Sequence, residues 1–397
     1  MNKNIKLPFI ELKFIILLLP TYLPTIVYQN FFLSKIIGLS RYLILLYCIL
    51  DLLKRKKRLS LISILLVITY ITTSISTFIN PDGELLSYIK LVIRSLEIIL
   101  LFEWGFNINA KLFLKASRNI LEIIIYLNLF SIIFFPQGMY LSGAYSTNYI
   151  MGYHNTFVRW QIPAIAISCI LSFFEKNKIT IRTYNLYFVS LLSNLLVKSI
   201  TGIIGTLTLG IGIVLINNLK RGNHILDKAF SLFSMFVVSL GGSAIIIKAI
   251  INIENSLFIQ NILKFFHKDI TMSARYYIWK SAIDFIKVNS FWGYGHESAD
   301  TISLKYIDKV GFGSSAHNFW LDTIYRGGIL LLFLTFLVFI CVRYQYKDYS
   351  YKKIVFIIGL WFLVIGIMGI VEPQNGDYLT VAWIACGNIN KLKLRSG

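Results

Sequence analysis

Apolar stretches about as long as a bilayer is thick recur along this chain, and that recurrence restricts it to a membrane fold. A hydrocarbon core about 30 Å thick takes roughly 20 helical residues to cross. Inside it no backbone polar group can be left unpaired. Candidate spans lie near 14–31, 36–53, 59–79, 87–104, 118–135, 160–174, 184–198, 200–217, 229–250, 322–342, 354–371 and 378–390. The last is short, as a tilted or re-entrant piece would be. Only 15% of residues are charged and 56% are hydrophobic, whereas soluble domains carry about 25% charged residues. A soluble globular domain, a disordered chain and a small disulfide scaffold are excluded. Cys48, Cys169, Cys341 and Cys386 sit in or beside apolar runs without metal-ligand spacing. They read as small hydrophobes, with no metal site. The expected fold is an all-α polytopic membrane protein with about twelve transmembrane helices.

A net charge of +20 raises the question of nucleic acid, but its distribution argues for topology instead. Lys and Arg fall in clusters between apolar runs, such as Lys54 to Arg58, Lys111/Lys115/Arg118 and Lys391/Lys393/Arg395. Cytoplasmic loops accumulate such residues. Placing both termini on the cytoplasmic side puts most cations inside and leaves short outer loops with only Lys35, Arg159 and Lys198. The loops 80–84 and 372–377 have none. The first apolar run lacks a small-residue cleavage site, so it is expected to remain as a helix. The organisation is then nine spans over 1–250 with a smaller outer loop at 136–159, a large extracytoplasmic loop at 251–321, and three spans with a cytoplasmic tail over 322–397. Loops as long as 251–321 are exempt from the charge rule and are commonly functional.

The outer loops hold the candidate chemistry. Residues 273–287 read as an amphipathic helix, with Ile278, Trp279, Ala282, Ile283 and Ile286 on one face. It would lie on the outer surface or cap the bundle. Arg275 sits near its start, with Ser273 as N-cap, where a helix already favours anions. The alternative is an arginine snorkelling to headgroups. Gly293-Tyr294-Gly295 reads as a tight turn back to the bundle. His317 and Asn318 lead from polar loop into a span, with Asp322 and Arg326 on the following turns. Imidazole is suited to take a proton near neutral pH, but an interfacial histidine bonded to a carbonyl has the same composition, and the residues leave both open. His154 and Asn155 precede Arg159 in the smaller loop. Arg94 and Glu97, at i and i+3 inside a span, are expected to pair. Gly202, Gly205, Gly210 and Gly212 read as helix-packing residues. No phosphate-loop, dinucleotide or H-E-x-x-H motif is present.

With these residues on the page, the chain resembles the O-antigen polymerase and ligase family of bacterial envelope enzymes. The likeness rests on the twelve-span topology with its large outer loop between the ninth and tenth spans. It rests also on the pattern from Arg275 through Trp279 to Gly293-Tyr294-Gly295, on His317-Asn318 followed by Gly328, and on Ser199-Ile200-Thr201-Gly202. Two departures stand out. Leu331 occupies a position where the family places a small residue, and Ile200 one where it often has an arginine, a charge that Lys198 or Arg159 would replace.

The resemblance implies a glycosyltransferase at the outer face of the plasma membrane, using a glycan on undecaprenyl pyrophosphate and no cofactor. It implies His317 and Arg275 as catalytic residues, and Arg159, Asn318, His154 and Lys198 in substrate binding. Implied partners are the lipid-linked oligosaccharide, membrane lipid, a flippase and a chain-length regulator, with no nucleic acid. A polymerase extends another lipid-linked repeat unit, whereas a ligase transfers to lipid A-core. Plentiful Ile, Lys and Asn beside scarce Ala suit an AT-rich genome. Low-GC Gram-positive bacteria, which make capsules but no lipopolysaccharide, would fit, and so the expectation is a polymerase for capsule or O-antigen. A lipid-linked glycan flippase or secondary transporter is the rival, although the two halves show no repeat.

Overall fold

The computed structural model describes residues 3–142, 145–218, 232–251, 275–310, 315–345, 352–370, 372 and 377–392. Its helices are α1 (Lys3–Leu18), α2 (Phe31–Lys54), α3 (Leu61–Ile79), α4 (Leu85–Phe134), α5 (Val158–Lys176), α6 (Ile181–Leu196), α7 (Ile200–Asn218), α8 (Leu232–Ile251), α9 (Arg275–Val288), α10 (Ala299–Val310), α11 (Phe319–Gln345), α12 (Lys352–Gly369) and α13 (Asp377–Asn388). Among the described residues, α2, α3, the stretch His154–Lys176, α11 and α12 are long and apolar enough to cross a membrane, and Ile200–Ile216 and Val237–Ile251 are shorter apolar helices. The protein is therefore an all-α membrane protein in its main architecture, with five full-length spans by this measure where the sequence suggests twelve.

Local chemistry explains where the elements differ from the expected spans. The first span, expected at 14–31, is cut by Pro20 and Pro24. Helix α1 ends at Leu18, and Asn30 starts α2 by accepting a hydrogen bond from Leu33 N at 3.0 Å. No loop separates the expected fourth and fifth spans. Instead α4 runs through in two legs, broken at Asn109 (φ −163°, ψ 93°), whose side chain accepts from Leu112 N at 3.1 Å and so caps the second leg. The segment expected as a plain loop at 136–159 holds an antiparallel sheet of β1 (Tyr140–Ser142), β2 (Tyr145–Tyr149) and β3 (Gly152–Tyr153), in that order. It is tied to α4 by Met151 N donating to Asn128 Oδ1 at 2.9 Å.

Helices α5 and α12 form the centre, and most of their side chains are buried. Around them stand α4, α6, α7, α8 and α13, with α3 against α11. Glu97 lies in this interior at 1% exposure and does not take Arg94, which is exposed. Its partners come from outside α4, Arg41 of α2 at 2.7 Å and Thr21 Oγ1, in the turn after α1, at 2.7 Å. A buried carboxylate needs charge and hydrogen bonds together, and the neighbour on its own helix points elsewhere. The four cysteines are free, and three are buried.

The connections gather at two ends. At one end Ser60, Glu103 and Lys391 meet, as do Gln345 and Gly387. At the other end Asn80 meets Tyr294, Ile26 meets Ile150, and Asn155 meets Ser199.

Candidate functional site

The amphipathic helix forms as α9, and it packs into the bundle. Ile278, Trp279 and Ala282 are buried with Ile250 of α8, Ile302 of α10, and Ala316 and Leu321 at the head of α11. Packing against these elements brings Arg275, its first residue, over the protein. The expected N-cap, Ser273, lies outside the described residues.

After α9 the chain docks against a break in α11. Gly327 and Gly328 leave helical geometry, Gly328 at φ +60° and ψ −161°. A Cβ at Gly328 would lie 2.0 Å from Phe291 O, and one at Gly293 (φ +68°) would lie 2.5 Å from Tyr325 O. Glycine at both positions thus lets two backbones touch. The contact satisfies what the break releases. The Tyr325 carbonyl accepts from Tyr294 N at 2.7 Å and the Arg326 carbonyl from Gly295 N at 2.8 Å, while Ile329 N donates to Ser290 O at 2.8 Å. Unpaired helical carbonyls at membrane depth would be costly. The Tyr294 and Tyr325 rings stack above, 5.1 Å apart.

At the head of α11, Asn318 is fully buried. Its Oδ1 accepts from Trp320 N and Leu321 N, both at 3.0 Å, and its Nδ2 donates to Ile370 O at 2.9 Å. It caps α11 and joins it to the last turn of α12. Glu372 N extends that turn by donating to Met368 O at 3.1 Å. The joint sets His317 beside Glu372, with Nδ1 3.6 Å from Oε2, while Arg275 Nη2 reaches Oε1 at 3.1 Å. His317 holds φ +46°, a left-handed backbone uncommon outside glycine and frequent at functional sites. All three side chains are 21–29% exposed, so the cluster is reachable. Burial alone would raise the Glu372 carboxyl. The His317 imidazole and the charges of Arg275 and Arg159 outweigh it and hold the group below the usual carboxylate range.

Three residues singled out in the sequence, His317, Arg275 and Arg159, thus converge on one carboxylate. Arg159 stands exposed on the first turn of α5 and acts through its field. His154 and Lys198 lie elsewhere at the same end. Each neighbours one partner of the Ser199 Oγ to Asn155 Oδ1 bond at 3.2 Å. Burial keeps His154 neutral by lowering its pKa, and its ring lies against Tyr153 at 4.0 Å. Lys198 is exposed with φ +54°. Ser199 also accepts from Gly202 N at 3.3 Å, so the Ser-x-x-Gly junction starts α7.

Two residues escape the sequence reading. Glu372 ends an apolar run in a loop that had seemed notable only for lacking cations. The signal was a carboxylate at a helix C-terminus, where the dipole disfavours it unless cations surround it. His296 follows Gly-Tyr-Gly directly, and its Nδ1 faces Arg326 Nη1 at 3.2 Å.

Residues 186–336 match the family described as O-antigen ligase. That stretch includes Lys198, the Ser199–Gly202 junction, Arg275, the Gly-Tyr-Gly turn, His317, Asn318 and Gly328, while Arg159, His154 and Glu372 lie outside it. Neither a curated protein nor a solved structure matches the chain. Over residues 186–336, then, the chain is similar to the O-antigen ligase family, as its motifs imply.

Proposed function

We propose that the chain is a polysaccharide repeat-unit polymerase at the outer face of the plasma membrane. It would transfer a glycan from undecaprenyl pyrophosphate to another lipid-linked repeat unit. Members of the matched family are membrane enzymes of glycosyltransferase type. The observation that carries the reading is the convergence of His317, Arg275 and Arg159 on Glu372. A carboxylate that binds one guanidinium and lies in the field of a second stands where a pyrophosphate would compete for them, and guanidinium grips phosphate oxygens bidentately.

In the proposed reaction the acceptor hydroxyl oxygen bonds to the anomeric carbon of the donor. The bond from that carbon to phosphate oxygen breaks, and its electron pair leaves on the pyrophosphate held by Arg275 and Arg159. His317 takes the hydroxyl proton and later yields it to water. With Nδ1 turned to Glu372, its proton belongs on that side and Nε2 accepts, while the carboxylate stabilises the imidazolium. His154 and Lys198 would contact the glycan from the α6–α7 side, and Asn318 would hold His317 in place. A flippase and a chain-length regulator would act beside it.

The family description favours a second reading, transfer to lipid A-core. Glycan sizing in a deletion host, complemented with wild type, His317→Ala or Arg275→Ala, separates the two. Polymerase activity leaves single repeat units in the deletion and in both variants at normal membrane levels. Long chains that accumulate on the lipid carrier identify a ligase. Variants that behave as wild type refute the site. Lengthening of lipid-linked oligosaccharide in detergent, with no gradient, excludes transport as the main activity.

A further inference from the structure

Beside the Glu372 cluster lies a cavity of about 360 Å³, enclosed by α3, the first leg of α4, α11 and α13. The two share a wall. Asp322, which lines the cavity, accepts from Ala316 N at 3.4 Å, one residue before His317.

The cavity has two chemically distinct parts. At its outer end Arg326 is held in one plane, with Nε on Asp322 Oδ2 at 2.8 Å and Nη1 on His296 Nδ1 at 3.2 Å. Among the described residues this leaves the Nη2 side of the guanidinium uncommitted. Burial lowers the His296 pKa, with Arg326 adding to the effect. A neutral ring whose Nδ1 accepts from Arg326 carries its proton on Nε2. The Asp322 carboxylate is engaged by Arg326, so this end offers donors to an oxygen-rich group. Deeper, the wall looks polar by composition but is apolar in effect. Thr69, Thr73 and Thr335 donate to their own helix carbonyls at 2.7, 3.1 and 2.8 Å, and Tyr70 and Thr380 pair at 2.9 Å. Hydroxyls tied back in this way leave hydrocarbon to face the space, continuous with Leu66, Leu331, Val338 and Trp383. Leu91, also in the wall, is 42% exposed, so the cavity opens on the flank of α4.

We propose that this cavity is a second lipid-phosphate site, taking a polyisoprenyl chain along its wall and the attached phosphate at Arg326 and His296. The inference rests on the glycan-transfer reading, in which a polymerase must hold two lipid-linked molecules at once. The shared segment 315–322 then separates a site at Arg275 and His317 from one at Arg326 and His296.

The test is native mass spectrometry of the full chain in detergent with undecaprenyl phosphate as probe. Wild type is expected to take two equivalents. Thr335→Phe, which fills the apolar part, and Arg326→Gln are each expected to take one. Arg275→Ala loses the other, and Arg275→Ala with Thr335→Phe loses both. Arg326→Gln removes the cation beside the Asp322 carboxylate, so Thr335→Phe, which touches no charge, decides the matter if that variant misfolds. One equivalent or none on wild type overturns the proposal, as do two equivalents retained by Thr335→Phe. Equal displacement of the second equivalent by phosphatidylglycerol also overturns it, since the site would then be a general phospholipid one. Two equivalents without glycan elongation would sink the polymerase and spare this site. Elongation with a single equivalent would do the reverse.

Discussion

Two carboxylates, at opposite ends of the bundle, solve the same problem differently. Glu103 is fully buried and saturated: Ser60 N donates at 2.9 Å, Ser63 Oγ donates as well, and Lys391 stands at 3.2 Å. It fastens the start of α3 and the turn after α13 to α4. Glu372 is 24% exposed and underfilled. Its arginine lies at 3.1 Å, its histidine at 3.6 Å, and that histidine has a left-handed backbone. A carboxylate that only holds a fold is buried and bonded on every side. One with solvent access, a histidine just beyond hydrogen-bond range and nearby backbone strain is arranged to exchange partners.

Breaking the comparison at Glu372's end should change rate. His317→Ala is expected to lower oligosaccharide elongation about 10²–10⁴-fold, the usual contribution of a general base, while the melting temperature stays near wild type. A large drop in melting temperature instead would make His317 a structural residue. At the other end the effect should fall on stability. Glu103→Gln keeps the shape but weakens charge-assisted bonds worth about 1.5–3 kcal/mol. It should lower thermal stability while turnover per folded molecule is unchanged, and lost turnover at full stability would erase the contrast.

The smallest effect concerns pH. The Glu372 pKa is lowered in the folded protein, so its ion pairs are fully present above the ordinary carboxylate pKa and are lost only as pH falls through the lowered value. In a His317→Ala background, where no adjacent imidazole titrates, stability between about pH 6 and 8, far above the ordinary carboxylate pKa of 4.5, should therefore differ between wild-type Glu372 and Glu372→Gln only by a constant offset. A curve for the Glu372→Gln variant that converges on its parent near pH 7 would show that Glu372 titrates there.

Much of the architecture was legible because bilayer thickness imposes a length and loop charge imposes a side. The amphipathic face of α9 and the glycine turn after it followed from spacing alone. What spacing could not show was closure in space. Glu372 lies 55 residues beyond His317 in a chain of 397, and the Asn318 bond to Ile370 brings their helix ends together. The pairing of Glu97 with Arg41 in place of Arg94 has the same origin, since neighbours along a helix are visible in sequence and neighbours across a bundle are not. The sheet at 140–153 was missed because its strands are two to five residues long, too short for an alternating pattern.

The seam between residues 290–295 and 325–329 bears on how such a protein can change over time. Three backbone bonds and two glycines fix the register of that seam. One residue inserted between Ser290 and Tyr294 would put the Ser290 bond out of step with those of Tyr294 and Gly295, whereas side-chain changes on the open face of α9 would leave the register intact. Divergence toward new glycans therefore has a forbidden stretch and a permitted one, set by main-chain arithmetic before any sugar is recognised.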